Sequence, residues 1–343
     1  MSADDSSETV NHHFAERLKA DWPPANWNNS NVIIAVSGGP DSTALLHGIS
    51  QLQPHRERLF AAHFNHQLRG EASLADQYFV EACCRKLQIQ CVVGLADPSE
   101  FEQHRSGEGI ESAARQLRYR FLTTTAKKLG ARFITTGHTA DDRIETVLHH
   151  ILRGTGLAGL AGIPRVRVIH EAVTLIRPLL SMQRSDILEY LSDLGEEPQF
   201  DEANLETCFT RNRIRLNLLP QLEREFNPEV RSALLRLAQI AEEAQSTLHQ
   251  IAADLLDAAT EKIASNETTL NTAYFESISD HLRRECFVCL WQRQGWPLQS
   301  MQFRHWQQLA DLSSSSGSTS FCQFPGGISG QRIENLLRLT ATR

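Results

Sequence analysis

No stretch of the 343-residue sequence approaches the roughly 20 apolar residues that a membrane-crossing helix needs. The first residues, Met1 to His13, are polar and acidic without an apolar centre, so they read as a loose tail rather than a signal peptide. The chain is therefore expected to be soluble and cytoplasmic, with no membrane partner. Cysteine is sparse and odd in number, with seven residues at 83, 84, 91, 208, 286, 289 and 322, which excludes a secreted disulfide framework and favours reduced thiols. The one metal-like spacing, Cys286-Phe-Val-Cys289, sits in a helical stretch from His281 to Gly295 with no second pair, and it reads as a buried helix face. Positive charge is not in excess: 34 Lys and Arg face 41 Asp and Glu, a net charge of −7, which excludes a protein that coats nucleic acid non-specifically. A local basic face survives that exclusion in Arg211, Arg213, Arg215, Arg224, Arg231 and Arg236, set against Glu223, Glu225 and Glu229. On charge alone this run reads as a solvated helix surface.

A lysine is also missing where it would matter most. Ser37-Gly38-Gly39-Pro40-Asp41-Ser42 follows the apolar run Val32 to Val36 and precedes the helical stretch Thr43 to Leu52, in the order strand, glycine loop, helix. Paired glycines let backbone amides and a helix N-terminus converge on anionic oxygens. The lysine of the common phosphate-binding loop is absent and Asp41 stands in the loop instead, which argues against a kinase or GTPase. It suits a Mg²⁺-bridged pyrophosphate, with Asp41 near the cation and Ser37 and Ser42 donating to phosphate. The six residues resemble the PP-loop of the ATP pyrophosphatase superfamily, whose members split ATP between the α and β phosphates.

At 41% hydrophobic residues and this length, two domains are expected. Strand-like runs at Leu59 to Phe64, Cys91 to Leu95, Arg132 to Thr136 and Val173 to Leu180 alternate with helical patterns at Ala72 to Leu87, Glu111 to Leu129 and Asp141 to Arg153. Such alternation predicts an α/β fold, a Rossmann-like parallel sheet with helices on both faces and its ligand at the carboxyl ends of the strands. A helix after Ser181 should stop at Gly195, and another should run from about Asn212 to Glu225. Glu229 to about Ile263 is rich in Leu, Ala, Glu and Gln, which predicts a mainly helical C-terminal domain. The serine run Ser313 to Ser316 with Gly317 reads as a loop, with short strand-like pieces at Ser320 to Phe324 and Leu336 to Leu339. The expected division is a tail over 1–30, a catalytic domain over 31–220 and a substrate-binding domain over 221–343.

Three polar clusters follow predicted strands or open predicted helices. His63-Phe-Asn65-His66-Gln-Leu68-Arg69-Gly70-Glu71 gathers polar groups where a nucleotide or metal would need them. Glu111, Arg115, Arg118 and Tyr119 put two arginines on one helix face, able to meet phosphate or carboxylate. Gly137-His138-Thr139-Ala140-Asp141-Asp142-Arg143-Ile144-Glu145-Thr146 spaces Asp142 and Glu145 on a helix face, where two carboxylates can hold a cation or take a proton from an amine, or simply favour the helix dipole.

Together with Arg153 to Gly162, Arg177-Pro178-Leu179-Leu180 and Asp201-Glu-Ala-Asn204 followed by Arg211-Asn212-Arg213-Ile214-Arg215, these clusters resemble the tRNA(Ile)-lysidine synthetases. The resemblance covers most of residues 31 to 220, and Ala203 departs from it where a serine or threonine is expected. Phe324-Pro325-Gly326-Gly327 with Arg332 is similar to the end of that family's first carboxyl-terminal domain, so a further terminal domain of longer members is expected to be missing.

The resemblance implies an ATP-dependent ligase that joins the ε-amine of L-lysine to C2 of the wobble cytidine in a tRNA(Ile) with a CAU anticodon. It implies ATP binding by Ser37, Gly38, Gly39, Pro40, Asp41, Ser42, His63, Asn65, Arg115, Gly137 and His138, with Mg²⁺ on Asp41. Catalysis would rest on Asp41, Asp142 and Arg118, lysine binding on Asp142 and Glu145, with His138 a weaker alternative as base, and RNA contact on Arg211, Asn212 and Arg215. A homodimer stays open. The rival readings are a PP-loop tRNA sulfurtransferase, which needs a persulfide cysteine or an iron-sulfur cluster near ATP, and a nucleotide-binding RNA module without catalysis.

Overall fold

The computed structural model describes residues 13–97, 99–100, 109–199, 210–314 and 320–342. The opening residues of the expected tail, the side chain of Glu111, the segment from Asp201 to Cys208 and most of the serine run lie outside the described residues. The chain divides into two compact units, Met1–Gln239 and Ile240–Arg343.

The first unit is built on a six-stranded sheet of order β3-β2-β1-β4-β6-β5, with β1 Asn31–Ala35, β2 Leu59–Asn65, β3 Gln90–Leu95, β4 Ala131–Thr136, β5 Val166–His170 and β6 Val173–Ile176. Every pairing is parallel except that of β5 with β6. Val32, Ile33 and Ile34 of the central strand are fully buried, as an unbroken apolar run must be when a strand is covered on both faces. Their alternation splits the core in two. Val32 and Ile34 join Phe14, Leu18, Leu45, Ile49 and Tyr190 on one face, while Ile33 joins Ala62, Leu122, Ala126 and Ile134 on the other. The first face is covered by α1 (13–21), α2 (Pro40–Leu52) and α6 (Arg184–Asp193), and the second by α4 (Gly109–Leu129); α3 (Glu71–Leu87) links β2 to β3, and α5 (Ala140–Arg153) follows β4. The segment ahead of β1, read from the sequence as a tail, is from residue 13 onward part of the core: Phe14 stacks on Tyr190 with ring centroids 3.9 Å apart.

Two strand expectations change. The run from Val173 ends as a strand at Ile176 because Arg177 turns the chain, and β5, largely exposed and carrying Arg167 and His170, had no apolar continuity to betray it. The helix expected from Asn212 is Thr210–Arg213 continued by a π-helical turn, Ile214–Leu218, and then Leu219–Glu225, together α7.

The second unit corrects the expectation of a mainly helical domain. It carries the end of α8 (Val230–Ala259), α9 (Asp280–Gln294) and α10 (Phe303–Leu312), together with a five-stranded antiparallel sheet of order β7-β8-β11-β10-β9. The strands are β7 Thr260–Ala264, β8 Glu267–Asn271, β9 Phe321–Phe324, β10 Ile328–Ile333 and β11 Leu336–Ala341. β7 runs straight on from the helix in sequence, and its mixed Thr-Glu-Lys-Ile-Ala composition carries no break that marks the change. Trp291, Phe275, Phe287, Leu337 and Leu339 form its core.

The loops after β1 and β4 emerge side by side at the carboxyl end of the sheet, where the strand order reverses direction about β1 and a ligand crevice is expected. Their approach requires Gly137: a Cβ there would stand 2.8 Å from the backbone carbonyl group of Asp41 and 2.9 Å from the amide of Ser42. Backbone atoms cannot rotate aside, so Gly137→Ala should lower stability by about 1–3 kcal/mol, read as a shift in the denaturant midpoint at unchanged slope.

Candidate active site

Four glycine-loop residues and the start of α2 make a cradle. Gly38 adopts φ +98°, a conformation open to glycine, and Gly39 caps α2 with Pro40 at its first position. Ser37 and Ser42 lock the loop: Ser42 Oγ accepts from the Ser37 amide at 3.1 Å, donates to the Gly39 carbonyl at 3.0 Å, and lies 3.1 Å from Ser37 Oγ. From outside the loop, the Gln199 amide donates to the Gly38 carbonyl. The amides at the helix start are thereby held in a fixed array that favours an anion.

Asp41 lies at the edge of this array with Oδ1 buried and without a hydrogen-bond partner among the described residues. Burial, and then the neighbouring Asp142 carboxylate, push its acid up to about 6, against the opposing pull of Arg184 and Arg215. A buried carboxylate oxygen that no donor satisfies is what a hard, oxygen-seeking dication would complete.

The β4–α5 turn supplies the second half. Asp142 and Thr139 form a capping box: Asp142 Oδ2 accepts from the Thr139 amide at 2.8 Å, while the Thr139 hydroxyl meets the Asp142 amide at 3.4 Å. Asp142 Oδ1 faces outward and takes a hydrogen bond from Arg211 Nη2 at 2.8 Å, with Arg215 Nη2 at 3.6 Å. Glu145, one turn on and 1% exposed, takes Arg211 Nε at 2.9 Å and Arg215 Nε at 2.5 Å. Residues read from the sequence as separate lysine-binding and RNA-binding sets are therefore one network, two carboxylates of α5 against two guanidiniums of α7. Burial opposes the charge on Arg215, and its bonds with Glu145 more than restore it, so its guanidinium is held above the usual range. The π turn begins directly after Arg213, between the two paired arginines. Asn212 stands half-buried between them in sequence.

Asp141, to which sequence reasoning assigned no role, anchors the same region: Oδ2 accepts from the Arg184 amide at 2.8 Å and Oδ1 from Arg231 Nη1 at 2.7 Å. The arginine run is thus not wholly a solvated face, since Arg211, Arg215 and Arg231 are all spent on acids of the β4–α5 turn. Only their spacing hinted at this.

Three arginines act on His138. Arg115 and Arg118 lie over the Tyr119 ring, 5.2 and 5.7 Å from its centre, and Arg177, 2% exposed, donates to the Pro164 carbonyl at 2.6 Å. Burial lowers the affinity of both Arg118 and Arg177 for their protons. Burial first, then these three arginines, drive the His138 imidazolium down to about 3, with Asp142 alone pulling the other way. His138 is therefore a neutral imidazole at ordinary pH, its Nδ1 2.9 Å from the Thr136 hydroxyl, and too weak a base to deprotonate an amine.

The β2 cluster separates into two roles. His63 is buried, holds the Val36 carbonyl at 2.9 Å through Nδ1, and leaves Nε2 unpartnered among the described residues. Asn65 is spent on its own loop, donating to the Ser73 carbonyl and to Gln77, and accepting from the Gln67 amide at 2.8 Å. That arrangement supports the positive φ of Gln67 and occupies the Asn65 amide hydrogens within its own loop.

Residues 8–222 match the family model of the PP-loop domain. A tRNA(Ile)-lysidine synthase of Bacillus cereus is 34% identical over 75% of this chain and 54% of its own length, and one of Clostridium perfringens is 40% identical over 62% and 44%. The chain therefore spans about half the length of these two relatives. One of Rhodopirellula baltica is 31% identical over 89% of this chain and 86% of its own. Among solved structures, the U34-tRNA thiolase NcsA of Methanococcus maripaludis, with its [4Fe-4S] cluster, superposes with a TM-score of 0.56 over 68% of this chain and 80% of that one, at 16% identity, a likeness of fold. No described helix is long and apolar enough to cross a membrane. With a PP-loop domain over most of its first unit, and a relative matched along nearly its whole length, the chain belongs to the tRNA(Ile)-lysidine synthase family.

Proposed function

We propose that the chain activates C2 of the wobble cytidine of a tRNA(Ile) with a CAU anticodon by adenylation, and then joins it to the ε-amine of free L-lysine. The observation that carries the reading is the network of Asp142, Glu145, Arg211 and Arg215 beside the PP-loop. Two acids and two guanidiniums balance each other, and an amino acid that carries both a carboxylate and ammonium groups can exchange partners with them. Its carboxylate replaces an acid at Arg211 or Arg215, and its ammonium replaces a guanidinium at Asp142 or Glu145.

ATP fits the cradle of Ser37 to Ser42, with Arg115 and Arg118 offsetting charge on the nucleotide or the activated base, and with His63 Nε2 available to the same crevice. Asp41 suits a Mg²⁺ ion through its unsatisfied oxygen, and such an ion would neutralise the departing pyrophosphate. The C2 oxygen of cytidine attacks the α-phosphorus and pyrophosphate leaves. The lysine ε-amine, with an ordinary pKa near 10.4, then has to lose a proton before it forms the C2–N bond and AMP departs with the former C2 oxygen. Asp142 and Glu145 are our candidates to bind that ammonium and take its proton, with His138 the weaker alternative because burial and then its arginine neighbours lower its affinity for a proton. Arg211 and Arg215, once displaced from the acids, can turn to RNA, with Asn212 between them in sequence.

The thiolation reading finds little support. Burial raises the thiols of Cys286 and Cys289 to about 12 and 11, which keeps them protonated and poor as sulfur nucleophiles.

Labelled lysine should enter an unmodified isoleucine tRNA with a CAU anticodon, with ATP and Mg²⁺, and should not enter a methionine tRNA; sulfur incorporation instead would move the function to thiolation. Asp142→Asn keeps an acceptor for the Thr139 cap and removes the charge, so lysine transfer should fall by about 10²–10⁴-fold while tRNA binding stays within about twofold. Unchanged transfer would remove Asp142 from the mechanism.

Asp41 gives a prediction on the metal-free protein. Its acid binds a proton more readily folded than unfolded, so stability contributed here is greatest below about pH 4 and is lost as pH rises to about 6. Asp41→Asn should abolish that slope and raise stability at pH 7 by about 1–3 kcal/mol, measured by denaturant titration, while abolishing ATP turnover.

A further inference from the structure

The second unit holds a cluster that the proposed reaction does not use. Gln245 and His249 lie on one face of α8, and Glu285 and Cys289, also four residues apart, lie on one face of α9, so that three ligand-type atoms converge. His249 Nδ1 stands 3.3 Å from Cys289 Sγ and 3.3 Å from Glu285 Oε1, and all three atoms lie within 4.8 Å of one another. One ring nitrogen faces both the thiol and the carboxylate, and if it carries hydrogen for Glu285 it has no lone pair for the thiol, whose remaining acceptor, the His249 carbonyl, lies at a long 3.9 Å. A cation at the meeting point satisfies all three at once.

We propose that His249, Glu285 and Cys289 bind one zinc ion. Bonds of about 2.3 Å to sulfur and about 2.0–2.2 Å to nitrogen and oxygen place neighbouring ligand atoms of a tetrahedron about 3.3–3.6 Å apart, and the two measured separations fall at that spacing. Nitrogen, oxygen and thiolate together are the donor set of a borderline-soft dication rather than of Mg²⁺. The Gln245 amide donates to Glu285 Oε1 at 2.7 Å and fixes the carboxylate from behind. Cys289 is 2% exposed, whereas the His249 side chain is 45% exposed, which gives the metal an entry path and leaves the fourth position to water. Binding expels the thiol proton, and the ion takes its place. The Cys286-Phe-Val-Cys289 spacing is thus half a coincidence: Cys286 is buried in the core and its thiol is not one of the three. A similar trio in the first unit, His47, Cys83 and Glu196, already has its cation, because the Lys86 ammonium pairs with Glu196.

The test is titration of the chelator-stripped full chain with Co²⁺ and Zn²⁺. One equivalent of Co²⁺ should give the intense ultraviolet thiolate-to-cobalt band, and Zn²⁺ should displace it and raise the melting temperature. Cys289→Ser should lose the band, His249→Ala should weaken binding by at least about tenfold, and Cys286→Ser should keep both. His249 lies at the surface, so its variant reports on the site even if Cys289→Ser folds poorly. No band in the parent chain, or binding undiminished in His249→Ala, or loss of the band in Cys286→Ser, would each overturn the assignment. Lysine transfer is independent of all three variants, so failure here leaves the reading of the PP-loop unit untouched.

Discussion

The first unit depends on how it disposes of four carboxylates gathered at the carboxyl end of one sheet. Asp41, Asp141, Asp142 and Glu145 come from two loops that Gly137 brings into backbone contact, and unpaired charges in such a place would cost several kcal/mol each. Glu145 and Asp142 are answered by Arg211 and Arg215, Asp141 by Arg231 and the amide of Arg184. The pairing also has a structural effect, since it fixes α7 against the start of α5. The apolar contacts of Ile144, Leu148, Ile214 and Leu219 complete the same junction.

Asp41 is the exception, and the difference is instructive. It occupies the first turn of α2, where the dipole favours an anion, yet burial dominates and the acid is raised rather than lowered. A site that satisfies three acids with its own arginines and leaves the fourth short of donors is suited to an exogenous cation at the fourth. Arg115, Arg118 and Arg177 act together on His138, and polyphosphate or an activated base would relieve their positive charge. The crevice thus holds acids paired with arginines beside a neutral imidazole that feels charges of both signs.

Much of this was legible in the sequence because short motifs specify their own geometry. The glycine loop between an apolar strand and a helix could hardly be read otherwise, and the i, i+3 spacing of Asp142 and Glu145 put them on one face. What the sequence did not disclose were long-range pairings. Arg211 meets Glu145 across 66 positions and Arg231 meets Asp141 across 90, and no local pattern separates an arginine that will be paired from one that will be solvated. The antiparallel sheet of the second unit was anticipated only in the strand-like pieces that form β9 and β11, for a related reason: β7 and β8 are short and polar, and what makes them strands is the ladder of β7 with β8 and of β8 with β11. The polar cluster around Asn65 was visible in the sequence, while its loop partners Ser73 and Gln77 were not.

A shared fold leaves two chemistries open once a base has been adenylated, attack by sulfur or attack by an amine, and the surroundings of the nucleophile decide between them. Sulfur needs an exposed, acidified thiol. Among the described thiols of the first unit, Cys83 and Cys84 are packed into the apolar core on the α2 face of the sheet, where burial raises Cys83 to about 11 and the hydrogen bond with Cys91, then burial, raise Cys84; the same bond lowers the half-buried Cys91, which packs against that core. An amine needs the reverse, carboxylates to desolvate an ammonium and take its proton, and cations to hold the other end of the molecule. Asp142 and Glu145 against Arg211 and Arg215 meet that need beside the phosphate loop. The arrangement of charge, more than the fold, is therefore what supports the proposed amine transfer.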